Sequence, residues 1–301
     1  MISEIIALGK RIYDTSNPRE IRRLVVFVGR YLLRSASMQK LMEFFNSDPL
    51  RREIIEKNPF PIEQVTRAFF YNGSTVDERL KLVMNHFLLL QDKIKPESFK
   101  KLGMLDSNYL IWRYPSGDIS WEALLNFEPG QRKEGLLSLD MRINGNHLYQ
   151  IMFWLNKNKD NDDSLWIGAM QGPNTENAKE IIKETTKLAH RYRTKNLILY
   201  MTMAVARNFG CKHIYAVSNE GYYANNHVRR DRKLKTDFGA FWEEPGGHVT
   251  EDPRFYEIPL TEPRKTMEEV PTRKRAVYRK RFAFQDDVDA QITSHMGEMM
   301  K

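Results

Sequence analysis

Apolar residues in the first third of the chain recur at helical spacing. Leu24, Phe27, Val28, Tyr31 and Leu32 fall on one face, and Met38, Leu41, Met42 and Phe45 resume the pattern after a break. Arg19, Arg22, Arg23, Arg30 and Arg34 share the first of these segments. Together they predict a core-facing helix with a solvated basic face, or alternatively a basic amphipathic helix lying on a membrane. Pro59 and Pro61 mark a loop between helices. Thr75 and Glu78 have capping-box spacing and open a helix carrying Leu80, Val83, Phe87 and Leu90. His86, set in that apolar run, reads as a hydrogen-bonded core histidine.

The period changes near residue 108. Tyr109 to Trp112 reads as a short strand. Leu137, Leu139, Met141 and Ile143 alternate with Ser138, Asp140 and Arg142, the pattern of a half-buried strand. Asn144-Gly145 then predicts a hairpin, with a return strand from His147 to Leu155. A polar loop leads to a third strand, Leu165 to Met170, which completes an antiparallel meander. Helical spacing returns with Ala178, Ile181, Ile182, Thr185 and Leu188, and again with Leu197, Met201, Ala204 and Val205. Gly210 stands where a left-handed helix cap is needed, and His213 to Ser218 follows as a strand. Helix, glycine and apolar strand predict a parallel β-α-β crossover. Phe241 to Glu243 reads as strand or loop, Phe255 to Leu260 as a late strand, and Arg264 to Arg281 as a basic tail. The fold class is therefore α+β. A helical N-terminal region (1–105) precedes a mixed, mainly antiparallel sheet with flanking helices (106–301).

Composition adds constraints on chemistry. The 301 residues are 41% hydrophobic and 29% charged, ordinary for a globular chain with a sizeable core. Net charge is +8, which suits anionic partners such as phosphates, coenzyme A or acidic lipid. A single cysteine, Cys211, rules out an intramolecular disulfide and a cysteine-based zinc site. The seven histidines include no pair spaced i, i+3 or i+4, so no metal is expected. The first ten residues lack the apolar core of a secretion signal, and no run approaches the roughly 18 apolar residues of a membrane span. A cytoplasmic protein is expected, with peripheral attachment to the inner membrane as the variant reading. No nucleic-acid module is recognisable, so a nucleic-acid partner is not favoured.

The order meander, helix, basic turn, helix, strand resembles the GCN5-related N-acetyltransferase fold. That resemblance implies a splayed strand pair holding an acyl-coenzyme A or acyl-carrier-protein donor, with its phosphates on helix amides. On this chain Gln171, Gly172, Arg191, Arg193 and Lys195 would hold the donor. An additional helix near 176 to 189 and the absence of the usual glycine spacing depart from the pattern. The segment Ser218 to His227 follows a strand end, where α/β proteins place ligands. His227 is the candidate base, Tyr222 or Tyr223 the acid, and Asn226 or Ser218 the oxyanion donor. Glu134, Asp140, Glu243 and Glu244 form an acidic set, in which Glu243 beside Trp242 is a candidate buried base.

From Ile167 onward the chain resembles the VirK/YbjX family. The similarity rests on Ile167-Gly168, Gln171-Gly172, Arg193 to Leu197, Val217-Ser218, Phe241 to Glu244 and, most specifically, Glu269 to Arg279. Thr194 stands where that family's basic turn usually has proline. The resemblance implies a Gram-negative source and links to virulence, envelope integrity and resistance to antimicrobial peptides. It carries no catalytic residues. Two functional readings follow: an acyl or aminoacyl transferase, and a non-enzymatic envelope factor binding a membrane surface or partner.

Overall fold

A computed structural model describes residues 2–116, 119–174, 176–225 and 237–301. Seven helices come first: α1 (Ile2–Ile12), α2 (Pro18–Leu33), α3 (Ser35–Asn46), α4 (Pro49–Lys57), α5 (Phe60–Thr66), α6 (Val76–Lys93) and α7 (Pro96–Gly103). Their starts are written in the sequence. Asn17, Asp48 and Thr75 each accept a first-turn N–H, and Pro18, Pro49 and Pro96 occupy first-turn positions that have no use for a donor. Thr75 and Glu78 form the reciprocal capping box. The loop expected at Pro59–Pro61 is instead the opening of α5, because proline is tolerated in a first turn. On α2, Leu24 and Phe27 are buried as the spacing predicts, while Ile21, Val25 and Leu33 are exposed.

The second part is an eight-stranded sheet. Its strands are β1 (Asn108–Ser116), β2 (Ile119–Asn126), β3 (Leu137–Ile143), β4 (Asn146–Lys157), β5 (Asp163–Gln171), β6 (His213–Val217), β7 (His248–Val249) and β8 (Phe255–Ile258). Between them lie α8 (Ala178–Leu188), α9 (Thr194–Asn208) and α10 (Phe238–Glu243), and α11 (Arg275–Met299) closes the chain. The spatial order is β1-β2-β3-β4-β5-β6-β8-β7. Every neighbouring pair is antiparallel except β5 with β6, the crossover made by α8 and α9. The α+β class and the mainly antiparallel mixed sheet are as expected. Asn144 and Gly145 both take positive φ, which fits the tight β3–β4 hairpin, and Gly210 closes α9 at φ +67°.

Three segments differ from the reading of the sequence. β2 was not anticipated, because Ala123 to Asn126 is buried on both faces and does not alternate. Phe241 to Glu243 belongs to a helix and not to a strand or loop. Asp237 caps α10 at the Ala240 N–H, and Phe238, Phe241 and Trp242 bury one helical face. The last part of the basic tail, from Arg275 to Arg281, is the start of α11, whose Phe284, Val288, Ile292, Met296 and Met299 pack at helical spacing onto the sheet and α9.

The two parts share one contiguous core. Where α6 lies on β4, the Leu155 N–H donates to His86 Nδ1 over 3.0 Å, the hydrogen-bonded core histidine the sequence suggested. Burial lowers the His86 pKa to about 3.

Candidate functional site

β5 and β6 pair in parallel from Ser164 and His213 to Ile167 and Ala216. Beyond that point β5 continues along β4 to Gln171, while β6 ends at Val217. Here the segment that joins β2 to β3 lies against the face of β4 and β5. A Cβ added at Gly168 would stand 1.9 Å from the Glu134 carbonyl oxygen, and one at Gly135 would stand 2.6 Å from the Phe153 nitrogen. Only glycine at these two positions lets the segment lie directly on β4 and β5.

This segment delivers Glu134 into the protein, where it is 2% exposed. The Tyr222 hydroxyl donates to Glu134 Oε1 over 2.6 Å, and Gln171 Nε2 donates to Oε2 over 3.1 Å. Gln171 and Gln131 exchange amide hydrogen bonds of 2.7 and 2.9 Å, which fixes the Gln171 amide with its nitrogen toward the carboxylate. Burial raises the Glu134 pKa, opposed by the hydrogen bonds from Tyr222 and Gln171. Burial and the facing carboxylate drive Tyr222 strongly upward in turn.

Helix α5 anchors the segment. Gln64 Nε2 donates to the carbonyls of Arg132 and Gly135 over 2.6 and 2.8 Å. Glu63, 1% exposed, accepts from Arg132 Nε at 2.6 Å and from the Tyr13 hydroxyl at 2.7 Å, with Arg67 at 3.6 Å. Glu63 and Glu134 are thus two buried carboxylates with opposite surroundings. Guanidinium groups face Glu63, while neutral donors hold Glu134.

The other residues singled out from the sequence fall as follows. The Ser218 hydroxyl donates to the Pro253 carbonyl at 2.7 Å and accepts from the Gly221 N–H at 3.0 Å, so its proton fastens a turn and is not offered to an oxyanion. Glu243 is exposed at the end of α10, where Tyr256 donates to it at 3.2 Å; its helix carries it to solvent, contrary to the buried base expected. Tyr223 is buried edge-on to Phe69. Asn226 and His227 lie outside the described residues. Asp140 is wholly buried but bonded by Arg142 Nε at 2.5 Å and His147 Nδ1 at 2.8 Å. Cys211 is a buried thiol raised to about 12 by desolvation, not a nucleophile.

The basic turn forms the start of α9, whose first amides receive no side-chain cap. Glu244 already occupies it, ion-paired with Arg193 and with Lys195 at 3.2 Å. Lys195 also lies 4.7 Å over the Phe241 ring. Arg191 is exposed, and its carbonyl accepts from Arg281 at 2.8 Å. Gly172 packs on the Tyr149 ring, and the charge of Arg193 acts on the Tyr149 hydroxyl, which ties the end of β5 to this helix start.

Of the candidate residues, the structure brings together Tyr222, Gln171 and Glu134. It adds Gln131, Glu63, Gln64 and Arg132, which sequence reasoning missed. The available signal was the Lys133-Glu134-Gly135 placement of an acid beside a glycine before an apolar strand.

The family model described as "Protein of unknown function (DUF535)" matches residues 16–294. An uncharacterized protein of Haemophilus influenzae is 25% identical over 277 residues, 89% of this chain and 88% of its own length. The uncharacterized protein YbjX of Escherichia coli is 26% identical over 275 residues, 89% and 83% of the two chains. A protein of Mannheimia haemolytica named "Membrane protein LapB" is 23% identical over 197 residues, 62% of this chain and 81% of its own. These matches bear out the resemblance to VirK/YbjX and to proteins of Gram-negative bacteria. No solved structure matches.

Proposed function

The chain belongs to the DUF535 family, and on that premise we propose that it transfers an acyl or aminoacyl group from a thioester or similar donor to an amine or hydroxyl acceptor at the Glu134–Tyr222 pair. The observation that carries this reading is a buried carboxylate held by neutral donors where a parallel strand pair separates. The strand order supports it too. An antiparallel meander is followed by one parallel crossover and an antiparallel return, which is in keeping with a transferase of this kind.

Tyr222 is half-buried and Glu134 is buried, so in this reading a substrate would meet the tyrosine before the carboxylate. As the acceptor N–H or O–H attacks the acyl carbon, its proton passes to the Tyr222 oxygen while the Tyr222 proton passes to Glu134. The new acyl bond forms, the carbon–sulfur bond breaks, and the proton returns through Tyr222 to the departing thiolate. A raised carboxyl pKa makes Glu134 the stronger base for this relay. Arg193, Lys195 and the uncapped amides of α9 would take the phosphates of the donor, displacing Glu244.

The test is thiol release and calorimetric binding with a panel of acyl-coenzyme A donors and acyl-carrier protein. Tyr222→Phe is expected to lower turnover about 10²–10⁴-fold with donor binding unchanged. Absence of binding to every donor overturns the proposal.

A second reading rests on a separate observation. Exposed Ile2, Ile6, Ile21, Val25 and Leu33 sit on α1 and α2 with exposed Arg19, Arg22, Arg23 and Arg34. Beside them, an apolar groove of about 680 Å³ opens between α1, α2 and α3. This face suits an anionic membrane surface, each cation adding about 1 kcal/mol near it. Among the described residues no helix is long and apolar enough to cross a membrane, so the attachment proposed is to the surface. Full recovery in the supernatant after sedimentation with anionic liposomes at low salt overturns this reading.

A further inference from the structure

The first turns of α11 run against their own electrostatics. Pro271 to Arg281 holds six cations, Arg273, Lys274, Arg275, Arg279, Lys280 and Arg281, and no acid. The N-terminal end of a helix is its positive end, and the first turn of α11 carries no acidic residue. Arg275 and Arg279 also stand one turn apart as like charges. Cations placed there oppose the helix dipole and one another, so folding alone gives no reason for them. Arg273, Lys274, Arg279 and Lys280 are exposed.

The turn between α8 and α9 is brought to the same place. His190 and Arg191 are consecutive non-glycine residues in the left-handed region, at φ +51° and +63°, a conformation unfavourable for both. Arg281 holds them there. Its guanidinium donates to the Arg191 carbonyl at 2.8 Å and to the His190 carbonyl at 3.4 Å. Burial lowers the His190 pKa, and the nearby charges of Lys280 and Arg281 add to the effect. Exposed Arg191 therefore joins Lys280 and Arg279 in one basic surface, continuous with Arg193 and Lys195 at the start of α9. The nearest acids are engaged elsewhere: Glu244 with Arg193 and Lys195, Asp286 with Arg264, and Glu262 with the Tyr192 hydroxyl. Among the described residues, Arg191, Arg279, Lys280 and Arg281 have no carboxylate at ion-pair distance.

The setting of these charges narrows the class of partner. They stand on exposed side chains of two elements, an arrangement that suits a broad acidic surface better than one small anion. Arg281 lies 4.6 Å over the Tyr278 ring, Arg264 lies 5.3 Å over Phe282, and the two rings meet edge-on at 5.8 Å. The aromatic groups here are thus engaged with guanidinium groups and each other, which disfavours base stacking by a nucleotide or a nucleic acid. Among the described residues, none of the exposed large apolar side chains lies on the α8–α9 turn or on α11, which disfavours insertion into a membrane. An acidic protein is the remaining complement.

We propose that this surface docks an acidic acyl-carrier protein, so that its phosphate-linked arm enters at Arg193 and Lys195. The proposal rests on the acyl-transfer reading and narrows its donor to a carrier protein. The test is calorimetric binding of the full chain to an apo-acyl-carrier protein, which lacks the thiol arm and cannot react. Binding is expected at low salt and is expected to weaken as salt is raised. The double variant Arg279→Glu, Lys280→Glu is expected to weaken it about tenfold or more. The double variant Lys40→Glu, Lys57→Glu makes the same charge change at exposed positions on α3 and α4 and is expected to leave it unchanged. No binding of the apo carrier overturns the proposal. Equal weakening by both double variants overturns it as well, since net charge then suffices. Tighter binding of an anionic lipid vesicle or a DNA duplex than of the carrier also overturns it. Thiol release from acyl-coenzyme A and acylated carrier reads the reaction separately. Transfer from acyl-coenzyme A without carrier binding refutes the docking surface alone. Carrier binding with the expected losses but no transfer from any donor supports the docking surface and refutes the acyl-transfer reading.

Discussion

Replacing Glu134 by glutamine changes charge without changing shape, and the structure predicts an effect that reverses in weight with pH. Tyr222 can still donate to the remaining carbonyl oxygen. The new amide nitrogen then faces the Gln171 nitrogen, donor against donor. Gln171 cannot simply turn over, because its reciprocal bonds to Gln131 hold it. One buried donor is left unpaired, at about 1–3 kcal/mol. Against this stands the relief of an unfavourable charge. The folded-state pKa of Glu134 is raised, so between the unfolded and folded values the native protein binds more protons. Wild-type stability therefore falls as pH rises through that window, by about 1.4 kcal/mol per tenfold change in proton affinity. Glu134→Gln loses this dependence. Urea denaturation followed by circular dichroism at pH 4 and pH 8 gives the comparison, since all other titrating groups are common to both proteins. The variant is expected to be less stable at pH 4, with the gap narrowing or reversing at pH 8. An equal difference at both pH values refutes the reasoning.

Further outcomes follow from the same geometry. His86 is wholly buried with its pKa lowered to about 3, so the unfolded chain takes a proton that the native chain refuses. Stability is then lost as pH falls below 6.5, by up to roughly 4–5 kcal/mol near pH 3, and urea midpoints of His86→Asn should fall less steeply over that range. Gly168→Ala places a methyl 1.9 Å from the Glu134 carbonyl, a backbone atom; thermal melting should show destabilisation above 3 kcal/mol or loss of the native fold. Glu244→Gln frees the start of α9, and calorimetry should find tighter donor binding, about tenfold, with no change in melting temperature.

Local rules made much of the scaffold legible. The capping box at Thr75, the Asn144-Gly145 hairpin and the cap at Gly210 each depend on a few adjacent residues, and each forms as expected. Segments decided by tertiary burial were harder to read. β2 is apolar on both faces, and α11 buries its apolar face against α9 and β1. In α10, Phe238, Phe241 and Trp242 carried helical spacing, but the run is a mere six residues long. The candidate site was half legible. Tyr222 and Gln171 were singled out by their places at strand ends. Their meeting with Glu134 depends on a connection folding over β5, with 88 residues between Glu134 and Tyr222 in sequence. Likewise, nothing local foretold that Glu244 would return across 51 residues to neutralise Arg193.

The central claim is that Glu134 is a base poised by burial and steered by Tyr222. Carbon-13 NMR of the Glu134 carboxyl, titrated from pH 3 to pH 9 in the wild type and in Tyr222→Phe, tests it most directly. The account predicts a midpoint above the ordinary glutamate value of about 4.3 and a further rise when the tyrosine hydroxyl is removed. A midpoint at or below the ordinary value, unmoved by the substitution, contradicts it.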